Sequence, residues 1–191
     1  EGDLIWARPL EDAPSKENWR LGGASGASAL LLHGAEVILL DADTGDWQAG
    51  VILNAKPPLA SAFEGESVLI ITPDEWLRLS AIGLSTVETT PLPSPMLRAS
   101  IAPGGGIVAA ESVDGKYWLR GPEGQWRPLA APPFEVLRVC PSNPESLWAI
   151  IREPADAPPR VGEFSPEGEF LREIQQGTFP GIPEKLRVSA G

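Results

Sequence analysis

Apolar residues in this chain come in runs of four or five, and clusters of Gly, Pro, Asp, Asn and Ser separate one run from the next. Runs this short, bounded by turn formers, read as β-strands rather than helices. Ala29–His33 and Val37–Leu40 flank Gly34, and the second run ends in a turn cluster, Asp41 to Asp46, before Trp47 opens another strand. The same reading gives Leu59–Phe63, Ser67–Ile71, Glu75–Ser80 and Thr86–Leu92. It then gives Met96–Ile101, Ile107–Glu111, Tyr117–Arg120 and Trp126–Leu129. Last come Glu135–Cys140, Ser146–Arg152, Arg160–Phe164 and Phe170–Ile174. The spacing of Glu163 to Gln176 has some helical character, but Pro166 and Gly168 interrupt it and favour a turn between outer strands. Gln175 to Glu184 reads as a loop.

One phrase recurs. Leu97-Arg98-Ala99-Ser100, Leu137-Arg138-Val139-Cys140 and Leu186-Arg187-Val188-Ser189 share a pattern, and Leu59-Ala60-Ser61-Ala62 is a weaker copy. Self-similarity at a period of roughly 20–50 residues marks a solenoid, propeller or array. Four short strands per unit select the propeller blade. The expected fold is an all-β propeller of about five four-stranded blades in a single domain spanning 1–191, or part of a larger ring. The units are Gly23–Pro58, with three clear strands, Leu59–Pro95, Met96–Pro133, Phe134–Gly177 and a composite of the two ends. In the composite, Lys185–Ser189 supplies the innermost strand, and Asp3–Ala7, Arg8–Leu10 and Asn18–Leu21 supply later ones. Such pairing of the C-terminal strand with the N-terminal blade closes the ring and removes an open edge.

Gly 20 and Pro 21 in 191 residues fit many turns, and 42% hydrophobic content suffices for a core. A formal charge of −11 disfavours nucleic acid and anionic membrane surfaces as partners. Cys140 is the only cysteine, which excludes an intrachain disulfide and a multi-thiolate zinc site. No apolar stretch approaches the roughly 18–20 residues of a membrane helix, so direct membrane insertion is not expected. The chain begins at Glu1 rather than Met, which reads as a processed protein or an excised piece with any targeting segment already removed.

Gly121-Pro122-Glu123-Gly124-Gln125-Trp126 and Ser165-Pro166-Glu167-Gly168-Glu169-Phe170 are two copies of one turn, and Asp43-Thr44-Gly45-Asp46-Trp47 is a variant. This turn resembles a degenerate Asp-box (BNR-like) repeat, shortened so that the aromatic falls two residues after the Gly. Cys140 to Ala149, with Pro141-Ser142-Asn143-Pro144, resembles the turn before a blade's second strand in sortilin-like and photosystem II assembly-factor propellers. Val37 to Trp47 is similar to the repeats of quinoprotein-like propellers. These resemblances imply a propeller acting as an extracytoplasmic (periplasmic or secreted) subunit or assembly factor of a larger complex.

The candidate chemistry is sparse. Trp19, Trp47 and Trp126 open presumed outer strands and Trp6 and Trp148 sit in apolar strands, so packing accounts for them; Trp76 and Trp118, beside Arg78 and Arg120, are expected to be exposed. His33 is the only histidine and no Gly-x-Ser-x-Gly elbow occurs, which leaves no catalytic triad. Gly104-Gly105-Gly106 opens a strand and lacks a following Lys-Ser/Thr, so it is a turn rather than a phosphate loop. Asp41, Asp43 and Asp46 lack the bidentate Glu of a calcium loop. A sialidase needs an arginine cluster and a Tyr–Glu pair, whereas the single Tyr117 falls in a presumed mid-blade strand. The expected function is therefore a non-catalytic scaffold that binds another protein or a membrane-complex subunit, with no catalytic, cofactor or metal residues. A lectin-like glycan binder is the alternative, and a carboxylate-based glycoside hydrolase comes third.

Overall fold

Among the described residues, the apolar runs become strands of four four-stranded antiparallel sheets, each in chain order. The computed structural model describes residues 19–54, 56–130, 133–143, 145–153 and 155–175. The chain divides into two compact units, Glu1–Pro91 and Leu92–Gly191.

In the first unit one sheet contains β1 (Trp19–Ser25), β2 (Ser28–His33), β3 (Glu36–Asp41) and β4 (Trp47–Ile52). A second contains β5 (Ala60–Glu64), β6 (Ser67–Ile71), β7 (Glu75–Ser80) and β8 (Thr86–Pro91). Val68, Leu69, Ile70 and Ile71 are all at most 1% exposed. Successive strand residues point to opposite faces, so β6 is covered on both sides, which is why its run is continuous rather than alternating. Leu30, Leu32, Val37 and Leu39 of the first sheet pack with Phe63, Val68, Ile70, Leu77 and Leu79 of the second. Burial of each such side chain contributes about 1.5–3 kcal/mol. The innermost strands meet at Gly22, where a β-carbon would stand 2.6 Å from Ser61 Oγ. With only hydrogen there, the Ser61 hydroxyl donates to the Gly22 carbonyl at 2.7 Å.

The second unit repeats the plan with β9 (Met96–Ile101), β10 (Val108–Ser112), β11 (Tyr117–Arg120) and β12 (Trp126–Pro128), then β13 (Glu135–Asn143), β14 (Ser146–Arg152), β15 (Arg160–Phe164) and β16 (Phe170–Gln175). Ala109 and Leu119 pack with Leu147, Ala149, Ile151 and Phe164. The Phe170 ring lies over Gly162 and meets Phe134 at 4.7 Å between centroids.

The repeated turns close as their sequence requires. Gly45, Gly124 and Gly168 all adopt positive φ (73°, 82° and 87°), a region costly for residues with a β-carbon. Arg127 ties two copies together, donating to Glu123 Oε1 at 2.9 Å and to the Pro166 carbonyl at 3.0 Å.

Several expectations are corrected. Trp19–Leu21 is not a late strand of a composite blade; it begins β1, the first strand of the first sheet, so Trp19 does not open an outer strand. The first unit's opening sheet accordingly has four strands, not three. Trp76 is fully buried rather than exposed. Trp47 opens the outer strand β4 but is 56% exposed, its ring resting on Gly50 of the same strand. Trp6, Asp3–Ala7, Arg8–Leu10 and Lys185–Ser189, and with them the expected ring closure, lie outside the described residues.

Candidate functional site

In the second unit, Met96 pairs with Ser112, Glu111 with Tyr117 and Trp118 with Pro128. The starts of β9 and β11 and the ends of β10 and β12 therefore share one end of the sheet. That end also carries the β10–β11 turn and the crossover from β12 to β13. Between turn and crossover lies an open groove of about 510 Å³, walled by Pro128, Leu129, Pro133, Phe134 and Val136 and completed by Gly115, Lys116, Tyr117 and Ala130. Val113 in the turn and Leu97 in β9 are 64% and 53% exposed, so the same end displays further apolar surface.

Behind the groove, Tyr117 donates its hydroxyl hydrogen to the Leu137 carbonyl at 2.7 Å. Arg138 donates to the same carbonyl at 2.9 Å and stands 3.7 Å from Glu111 Oε2. Tyr117 is the first residue of β11, an interior strand of its sheet as expected, and stands directly opposite Glu111. The structure thus assembles a Tyr–Glu–Arg cluster that the sequence reading set aside. Its chemistry is structural: the phenol is committed to a backbone carbonyl, and burial pushes its pKa above the ordinary tyrosine value, which disfavours a phenolate nucleophile. The second position of the recurring phrase, Arg138 here, was the available signal for this cluster. The crossover residues carried none, because Pro and Ala between strands read only as a loop.

The β10–β11 turn carries a local polar network. Asp114 pairs with Lys116 at 2.8 Å and accepts the Ser112 hydroxyl. The Lys116 ammonium first, and then Ser112, hold the Asp114 carboxyl down to a pKa of about 2; the same pairing raises that of Lys116.

The other candidates resolve into packing and turns. His33 ends β2 and stacks on Trp19 at 4.6 Å. Asp41 Oδ1 accepts the amides of Thr44 at 2.8 Å and Asp43 at 2.9 Å, and these bonds, Thr44's foremost, lower its pKa. Among the described residues no three His, Cys, Asp or Glu side chains gather at a metal-sized site. Gly104, Gly105 and Gly106 all have positive φ in the β9–β10 turn. Trp118, expected to be exposed, is instead partly buried, as are Trp126, Trp148 and Cys140.

No protein-family model and no curated protein matches the chain. Solved structures do. Hydrazine synthase of Kuenenia stuttgartiensis superposes with a TM-score of 0.57 at 14% identity, over 84% of this chain and 51% of that one. The N-terminal domain of Nup159 gives 0.55 at 14%, over 85% and 46%. A chain of the S. cerevisiae assembly of Dbp5 bound to Nup159, Gle1, IP6 and ADP gives 0.55 at 13%, over 85% and 45%. This chain spans about half the length of each. At such identities the likeness speaks to architecture alone: four four-stranded antiparallel sheets of β-propeller-like fold.

Proposed function

We propose that this chain is a non-catalytic scaffold that binds another protein through the loop end of its second unit. The observation that carries this reading is the apolar groove between the β10–β11 turn and the β12–β13 crossover, at a sheet end that also exposes Val113 and Leu97. Pro128 and Pro133 stiffen its walls, which lowers the entropy lost when a partner side chain enters. Tyr117 is bound to backbone, and the Asp114 carboxylate of the adjoining turn is held by Ser112 and Lys116, so the site offers binding surface in place of a nucleophile or general acid. The partner is another protein or a subunit of a membrane complex, and the setting is extracytoplasmic. The multiprotein assembly that holds one of the similar folds is in keeping with such a role. A glycan-binding reading has the exposed Trp47 in its favour but, among the described residues, no second exposed tryptophan.

Ala130 is exposed and lines the groove, so Ala130→Arg fills it without entering the core. A partner co-purified from the native source with the unaltered chain is expected to be lost with Ala130→Arg. Retention of the same partner in equal amount overturns the assignment of the site. Turnover of any compound in a glycoside and ester substrate panel overturns the absence of catalysis.

A further inference from the structure

The recurring phrase places an arginine in the first strand of two sheets, Arg98 in β9 and Arg138 in β13, and the structure gives them unequal surroundings. Among the described residues, Arg20 of β1 and Arg98 of β9 are the two cations with neither an ion pair nor a hydrogen-bonded side-chain partner. This is unexpected in a chain with 26 carboxylates against 15 basic residues. Arg98 is exposed at the loop end of the second unit, directly opposite Glu111 in the β9–β10 ladder. Residues so paired project from the same face of a sheet. Yet Glu111 turns its carboxylate to Arg138 of the neighbouring sheet, at 3.7 Å, and leaves the Arg98 guanidinium open. Arg98, Glu111 and Arg138 together carry one net positive charge beside the sheet end that holds the groove.

We propose that Arg98 is the anion subsite of this docking surface and that the partner segment is acidic and apolar: a carboxylate on Arg98 beside an apolar side chain in the groove. The proposal rests on the protein-binding reading above and adds the chemistry of the partner. A guanidinium presents a planar fork of donors that matches a carboxylate, and such charge-assisted bonds are the stronger ones. A single carboxylate suits the site better than a polyanion, since the charge of −11 around it repels a chain of phosphates.

The test selects displayed random peptides on the intact protein and on Arg98→Gln, then measures affinities of synthetic winners and of their Asp-to-Asn or Glu-to-Gln analogues. The unaltered protein is expected to enrich peptides with Asp or Glu adjoining an apolar residue. Arg98→Gln weakens the acidic peptide about ten-fold, the scale of one charge-assisted contact, and removes the difference between it and its amide analogue. Arg20→Gln leaves both affinities unchanged, and Ala130→Arg weakens acidic and amide peptides alike. Enriched peptides without carboxylates, or an acid-to-amide ratio that survives Arg98→Gln, overturn the subsite while the groove reading stands. Absence of any enrichment on the unaltered protein overturns both.

Discussion

Trp76 sits in β7 with Arg78 two residues on, a pairing that in a half-exposed strand would place the indole in water. The indole is instead fully buried, with the Arg78 guanidinium 5.5 Å from its ring centroid and held by Glu64 at 2.7 Å. The arginine thus shares a face with a buried aromatic without leaving its charge unpaired. Trp76→Ala is expected to cost about 3–5 kcal/mol in urea melts, the range for emptying a buried aromatic site. A loss below about 1 kcal/mol would place the indole at the surface. The Asp114–Lys116 pair gives a pH-dependent prediction. The Asp114 carboxyl is depressed to about 2 from an ordinary 3.8, so its contribution to stability is fully present above about pH 4 and is lost as pH falls toward 2. In carboxyl-resolved NMR titrations its midpoint should lie near 2 and move up in Lys116→Met. A midpoint that ignores the substitution would contradict the pairing.

Among the strands, the repeated turns do more than reverse the chain. Gly168 combines a φ of 87° with a position where a β-carbon would meet Leu129 Cδ1 at 2.9 Å, so the β15–β16 turn seats against the neighbouring sheet. Gly168→Ala should cost about 1–2 kcal/mol from backbone strain alone, before the contact with Leu129 is relieved. Arg127→Ala, which removes the bonds to Glu123 and to the Pro166 carbonyl, should cost about 1–2 kcal/mol, the lower part of the range for charged hydrogen bonds because the side chain is partly exposed. Denaturant melts of both variants check these values, and unchanged midpoints would show that the turns do not join the sheets. Strands β2 to β16 were legible within a residue or a few at their ends, because their apolar runs and Gly/Pro boundaries are local signals. The one strand that was misassigned, β1, has Gly22 and Gly23 at its centre, a bulge between Leu21 and Gly23, and Leu21 68% exposed, so it offers no apolar period to read. The three exposure errors, at Trp76, Trp118 and Trp47, depend on burial by residues outside the strand or on a glycine beside the ring, which periodicity does not encode.

Taken whole, the chain combines a regular strand framework with local chemistry confined to few places. The Glu111–Tyr117–Arg138 cluster joins two sheets of the second unit, and the groove opens at the loop end beside it. Little of that site was legible: Tyr117 and the recurring arginine stood out, but Glu111 and the crossover residues gain meaning only when β10, β11 and β13 converge. The excess of carboxylates maintains solubility, while Arg98 keeps an uncompensated positive charge at the proposed docking end. Hydrogen exchange of the free chain against the chain with its co-purified partner tests the central claim most directly. The account predicts slowed exchange in residues 112–117, 129–130 and 134–136, with the outer strands β4, β8 and β16 unchanged. Protection confined to those outer strands, with the turn and the crossover exchanging as in the free chain, would contradict it.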